Sequence, residues 1–119
     1  MKITSARLLC NRYLDFLDLH IQNVIDQIDE EFLEINQIAK KLNISHVHLT
    51  DTIQKETGHH PCYFYDLKII EVAKQLLHNK NNSIADVARI LTYDPSNFSK
   101  FFKKFTQTTP GQYRKISLK

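Results

Sequence analysis

Residues 84–113 read as a second copy of residues 35–64, displaced by a constant 49 positions without a gap. Ile84 falls on Ile35, Val87 on Ile38, Ala88 on Ala39 and Leu91 on Leu42. Further on, Asp94 falls on Ser45, Phe98 on Leu49, Phe102 on Ile53 and Lys104 on Lys55, and then Thr106 on Thr57, Pro110 on Pro61 and Tyr113 on Phe64. A register held through caps, apolar positions and a restarting proline means one supersecondary unit used twice, not a run of unrelated helices.

Each copy reads as a short helix, a tight turn, a longer helix and the start of a third. In the second copy, Ser83 and Asp86 form a capping pair, because hydroxyl and carboxylate satisfy amide donors that lack intrahelical partners. Ile84, Val87, Ala88 and Leu91 stack on one helical face. Asp94 and Pro95 suit an N-cap and a first helical position. Phe98, Phe101, Phe102 and Phe105 follow at helical spacing, with Lys100, Lys103 and Lys104 between them. Thr109-Pro110 with Gln112 opens the third helix. On its own this stretch fits a DNA-binding helix-turn-helix and a plain helical bundle with a lysine-rich wet face equally well. Its echo at 35–64 favours the first.

In the first copy Ser45 caps the second helix, Leu49 and Ile53 point inward, and Gly58 fits the left-handed position past its end. His60-Pro61 opens a long helix to about Leu77, with Phe64, Leu67, Ile69 or Ile70, Ala73, Leu76 and Leu77 on its inner stripe. Residues 5–29 form an amphipathic pattern, with Leu9, Tyr13, Phe16, Leu17, His20, Ile21, Val24, Ile25 and Ile28 on one side. Only two glycines and three prolines leave little material for hairpins or phosphate loops. The expected fold is all-α: an N-terminal amphipathic helix over 1–29, a first helix-turn-helix unit over 30–60, a linker helix over 61–78 and a second helix-turn-helix unit over 83–115.

Charge is unevenly spread. Residues 1–34 hold seven Asp and Glu against three Lys and Arg, while residues 80–119 hold eight Lys and Arg against two Asp. The C-terminal part therefore suits a polyanion. Two cysteines, Cys10 and Cys62, are too few for a disulfide framework, and no signal peptide or apolar run of about 18 residues occurs. A cytoplasmic protein with no membrane span is expected. His59-His60-Pro61-Cys62 is compact but lacks the paired spacing of a zinc site. No metal, cofactor or catalytic residue is expected, and the chain is not read as an enzyme.

From Val24 to Lys115 the residues resemble the DNA-binding domain of the AraC/XylS family of bacterial transcription regulators. The likeness is strongest over Ile84-Ala85-Asp86-Val87-Ala88, Tyr93-Asp94, the run from Phe98 to Lys104 and the run from Thr109 to Arg114. In the first unit Ile38-Ala39, Leu42, Ser45, Leu49, Lys55 and Thr57-Gly58 fit as well. Thr92 and Gln107 stand where the family usually has glycine, Lys68 where arginine is usual, and Asp51 where many members carry a basic residue.

The resemblance implies a sequence-specific transcription regulator, expected to activate, that inserts one recognition helix per unit into successive major grooves of double-stranded DNA. The base-reading candidates are Pro95, Ser96, Asn97 and Lys100 in the second unit and His46, Val47, Thr50 and Asp51 in the first. Lys55, Lys103, Lys104, Arg114 and Lys115 are the phosphate candidates. Asp51 repels phosphate where Lys100 attracts it, so the second unit is expected to dominate. RNA polymerase is a further expected partner, and the N-terminal helix offers a surface for a homodimer or another protein. The rival expectation is a protein-interaction module derived from this family with weakened DNA binding. Fewer than thirty residues precede the first unit, too few for an effector pocket. A stand-alone regulator and the C-terminal piece of a larger one both remain open.

Overall fold

The computed structural model describes residues 3–117. Among these residues there are seven helices and no strand: α1 Ser5–Ile25, α2 Ile35–Lys41, α3 His46–Thr57, α4 Pro61–Leu77, α5 Ile84–Ile90, α6 Pro95–Thr106 and α7 Pro110–Ser117. The repeat persists as geometry: α2 and α5 start and stop at corresponding residues, as do α3 and α6, and α4 and α7 open on corresponding prolines. In the two turns, the N–H groups of Ile44 and Tyr93 bond the carbonyls of Ala39 and Ala88 at 3.1 and 2.8 Å. Asn43 and Thr92, at φ 61° and 62°, make those bonds possible, since a left-handed residue gives orphan helix-end carbonyls a partner. The hydroxyls of Thr57 and Thr106 bond the carbonyls of Ile53 and Phe102 at 2.6 and 2.9 Å, just ahead of left-handed Gly58 and Gln107. Both Thr92 and Gln107 thus sit where the backbone favours glycine, at a cost of roughly 1–2 kcal/mol for a residue with a side chain.

Two cores lie along α4. Leu9, Tyr13, Leu17 and Ile21 of α1 join Ile38, Ala39, Leu49, Ile53, Tyr65 and Ile69 in the first. Ile70, Ala73 and Leu77 join Val87, Ala88, Leu91, Phe98 and Phe102 in the second. α4 must therefore be apolar on two sides, which corrects the single inner stripe expected for it. Leu67, placed on that stripe, is 39% exposed.

α1 ends at Ile25, short of the expected residue 29. Gln27 turns left-handed (φ 63°), and the N–H groups of Ile28 and Asp29 close on the Asn23 carbonyl at 2.8 and 3.0 Å. That turn sends Ile28 into solvent, 69% exposed, instead of onto the core. The loop after it is fastened by buried His20, whose Nε2 accepts from the Leu33 N–H at 3.0 Å. Nδ1 must then carry the proton, and it donates to Asp29 Oδ2 at 2.7 Å. The Tyr65 hydroxyl donates to the Leu33 carbonyl at 2.9 Å, so α1 and α4 grip the same residue. Lys68 pairs with Asp18 of α1 at 2.7 Å. Among the described residues no helix is long and apolar enough to cross a membrane.

Candidate nucleic-acid interface

α3 starts where Ser45 Oγ accepts from the His48 N–H at 3.0 Å, and buried Leu49 and Ile53 fix which face turns inward. Outward are His46, Val47, Thr50 and Asp51, which together with His60 surround one shallow depression. Val47 holds an apolar side chain 69% exposed, and Asp51 is exposed beside it. Thr50 is half-buried, and its hydroxyl is shielded from solvent without a hydrogen-bond partner among the described residues. Buried hydroxyls left unpaired are uncommon in folded proteins and call for a reason.

α6 starts on the Asp94 carboxylate, which accepts from Ser96 Oγ at 2.6 Å and from the N–H groups of Ser96 and Asn97 at 3.1 and 3.4 Å. Those bonds, the Ser96 hydroxyl first, hold Asp94 below the usual carboxylate range, so a full negative charge sits at the helix N-terminus. Pro95, Ser96, Asn97 and Lys100 are all exposed, as are Lys103 and Lys104 in the last turn.

The repeat decides which of these share a face. His46, Val47, Thr50 and Asp51 correspond to Pro95, Ser96, Ser99 and Lys100. Asn97 corresponds instead to His48, which borders a groove between α1 and α3 with Ser5, Leu8 and Arg12. Asn97 therefore lies to one side of the face carrying Ser96 and Lys100, and half-buried Ser99 lies on it. Helical spacing adds Gln54 on α3 and Lys103 on α6 one turn further along. Sequence reasoning passes over Ser99 and Gln54. The signal for Ser99 is the offset itself, which carries Thr50 onto it.

Lys55 and Lys115 are exposed. Arg114 is held differently from these lysines. It is half-buried, and its Nε donates to the Leu77 carbonyl at 2.9 Å while the guanidinium reaches the carbonyls of Asn82 and Asn79 at 2.5 and 3.5 Å. These carbonyls end α4 and lead into α5. Position 114 corresponds to Tyr65, and Asn82 to Leu33, so each unit ties its third helix to its entry loop with the same pair of positions. Nε and one terminal nitrogen of the guanidinium are thus engaged inside the fold. His60 caps α4, its Nδ1 accepting from the Cys62 N–H at 3.0 Å, and His59 stacks on Tyr63 at 3.9 Å.

Two capped helices with left-handed turns and exposed polar faces, in duplicate, define a double helix-turn-helix domain. A family model described as a helix-turn-helix domain matches residues 38–116. The lactose operon transcription activator of Staphylococcus xylosus is 30% identical over 105 residues, covering 85% of this chain and 38% of that protein. The MmsAB operon regulatory protein of Pseudomonas aeruginosa is 37% identical over 84 residues, covering 69% and 27%. The C-terminal domain of AraT, a response regulator from Geobacillus stearothermophilus, superposes with a TM-score of 0.79 at 25% identity, covering 95% and 88%. The chain belongs to the AraC/XylS family of transcription regulators, which is not a family of enzymes. It spans well under half the length of the two curated relatives.

Proposed function

We propose that the chain is the DNA-reading part of a cytoplasmic transcription regulator, setting α3 and α6 in successive major-groove segments of one duplex, with α6 dominant. The observation that carries this is the duplicated geometry: two equivalently capped helices, each with an exposed polar face, held by one α4. The 17 residues of α4 span about 25 Å at roughly 1.5 Å per residue. Helix thickness supplies the rest of the approximately 34 Å between groove segments on one face of DNA, and the molecule is 46 Å along its longest axis.

In this reading Lys100 takes guanine O6 and N7, while Ser96 and Ser99 take a base edge or a phosphate, with Pro95 at the helix start and Asn97 at the margin. On α3, Val47 packs on a thymine methyl, Asp51 accepts from a cytosine amino group, and the Thr50 hydroxyl, shielded in the free protein, rotates outward to take a base edge beside His46. Lys55, Lys103, Lys104 and Lys115 meet phosphates. Activation, through contact with RNA polymerase, completes the proposal; its support is that the S. xylosus relative is an activator. Gel shifts on random duplex fragments over a salt series test the reading. Four phosphate lysines give a preferred site and a log–log salt slope near −4, at roughly 0.9 per phosphate neutralised. Binding with no preferred site and no salt dependence would sink it.

A further inference from the structure

Three aromatic side chains, Phe32, Tyr93 and Phe101, pack against both cores at once. Phe32 lies in the entry loop of the first unit, and Tyr93 and Phe101 lie in the turn and recognition helix of the second. Phe32 meets Tyr65 edge-on at 6.0 Å and Tyr93 at 6.4 Å, and Tyr93 stacks on Phe101 at 5.3 Å. The units thus touch directly and are not joined by α4 alone.

The repeat supplies an internal control. Tyr93 and Phe101 correspond to Ile44 and Thr52 in the first unit, and Phe32 corresponds to Asn81 in the second. Ile44 and Thr52 border the groove against α1, and Asn81 is exposed. At all three positions the aromatic stands only in the copy where it can reach the other unit. A helix fixes the distance between two bodies but resists twist only through what packs on it. The ring pair that crosses between units, Phe32 on Tyr93, is tilted at 49° and is braced on each side by an oriented pair, edge-on with Tyr65 and stacked with Phe101, so a rotation of one unit must break ring packing.

We propose that this aromatic seam sets the angle between α3 and α6, so that Phe32, Tyr93 and Phe101 are positioning residues that determine which half-site spacing the chain accepts. The proposal rests on the two-groove reading above. One base pair added between half-sites turns the second by roughly 35° about the DNA axis and moves it about 3.4 Å, which a rigid seam cannot follow.

The test uses the full chain and a duplex selected by the wild-type protein from a random library, with one base pair inserted or deleted between its halves. Wild type binds about tenfold or more weakly on either change, as it would after one good base pair of the site is mismatched. Tyr93→Ile, which installs the residue of the first unit, and Phe32→Leu bind the original duplex more weakly and weaken by no more than about threefold on the same changes. Spacing discrimination in either folded variant as sharp as in wild type overturns the seam while leaving the two-groove reading intact. A wild type indifferent to spacing overturns both. Without DNA, spin labels on the thiols of Gln54→Cys and Lys103→Cys, in a Cys62→Ser background, report the angle by pulsed distance measurement. The distribution broadens in Phe32→Leu, and an unchanged distribution overturns the proposal.

Discussion

Replacing Arg114 with Ala removes the tie between the end of α4 and the entry to α5. Two charge-assisted hydrogen bonds go, to the carbonyls of Leu77 and Asn82, while the approach to Asn79 at 3.5 Å is too long to count. Shielded bonds of this kind contribute about 1.5–3 kcal/mol each. Arg114 is only half-buried, and halving for solvent screening leaves roughly 1.5–3 kcal/mol for the pair. For 119 residues that corresponds to a fall in Tm of roughly 6–12 °C. Thermal unfolding followed by circular dichroism reads it directly. Arg114→Lys recovers little, because an ammonium does not present the planar fork that spans two carbonyls. Tyr65→Phe, the equivalent tie in the first unit, lowers stability by about 1 kcal/mol. The salt slope of DNA binding stays that of wild type. An Arg114→Ala chain with an unchanged Tm and a salt slope smaller by about 0.9 would refute the reasoning, because that is how a phosphate-binding residue behaves.

Glycine at either left-handed position, Thr92→Gly or Gln107→Gly, raises unfolding free energy by about 1 kcal/mol, and denaturant midpoints that fall instead count against the strain argument. Gly58→Ala lowers it by about 1 kcal/mol through backbone strain alone, since nothing lies within 4 Å of the added Cβ. Thr50→Val removes an unpaired buried hydroxyl, so stability rises by about 1 kcal/mol while affinity for a selected duplex drops roughly tenfold. A drop in both stability and affinity would mean that the hydroxyl is satisfied within the fold. Burial raises the Asp66 carboxyl above its ordinary 3.8 despite the nearby Lys104 charge. The unfolded carboxyl then ionises first as pH rises, and the native state loses stability between 3.8 and the raised value and keeps that loss at neutral pH. Asp66→Asn therefore raises Tm at pH 7, the gain fading as pH falls from the raised value toward 3.8 and absent below it; a lowered Tm at pH 7 contradicts this sign.

The repeat is legible because its signals are local. Caps at Ser45 and Asp94, apolar steps at Ile38, Leu42, Val87 and Leu91, and prolines at 61 and 110 each act within a turn or two of chain. What stays hidden depends on partners distant in sequence. Arg114 looks like any surface cation until Leu77 and Asn82 come round to meet it. Phe32 shows no periodicity with Tyr93, 61 residues away, yet the rings pack. The end of α1 escapes a sequence reading because Gln27 carries no glycine-like mark of its left-handed backbone, and apolar Ile28 continues the helical rhythm past it. At the candidate interface, spacing alone places the four α3 residues together. Adjacency groups Asn97 with Ser96, though helical rotation carries neighbouring residues about 100° apart.

We propose that both units read DNA and that α6 reads it more tightly. Dissociation constants on a selected duplex, with each half-site scrambled in turn at fixed salt, test it most directly. The half read by α6 is the one whose base discrimination Lys100→Ala relaxes. Scrambling that half should weaken binding about a hundredfold and scrambling the other about tenfold, at about 1–3 kcal/mol for each mismatched base pair. Equal weakening would contradict the dominance of α6, and no weakening from one half would contradict the paired reading itself.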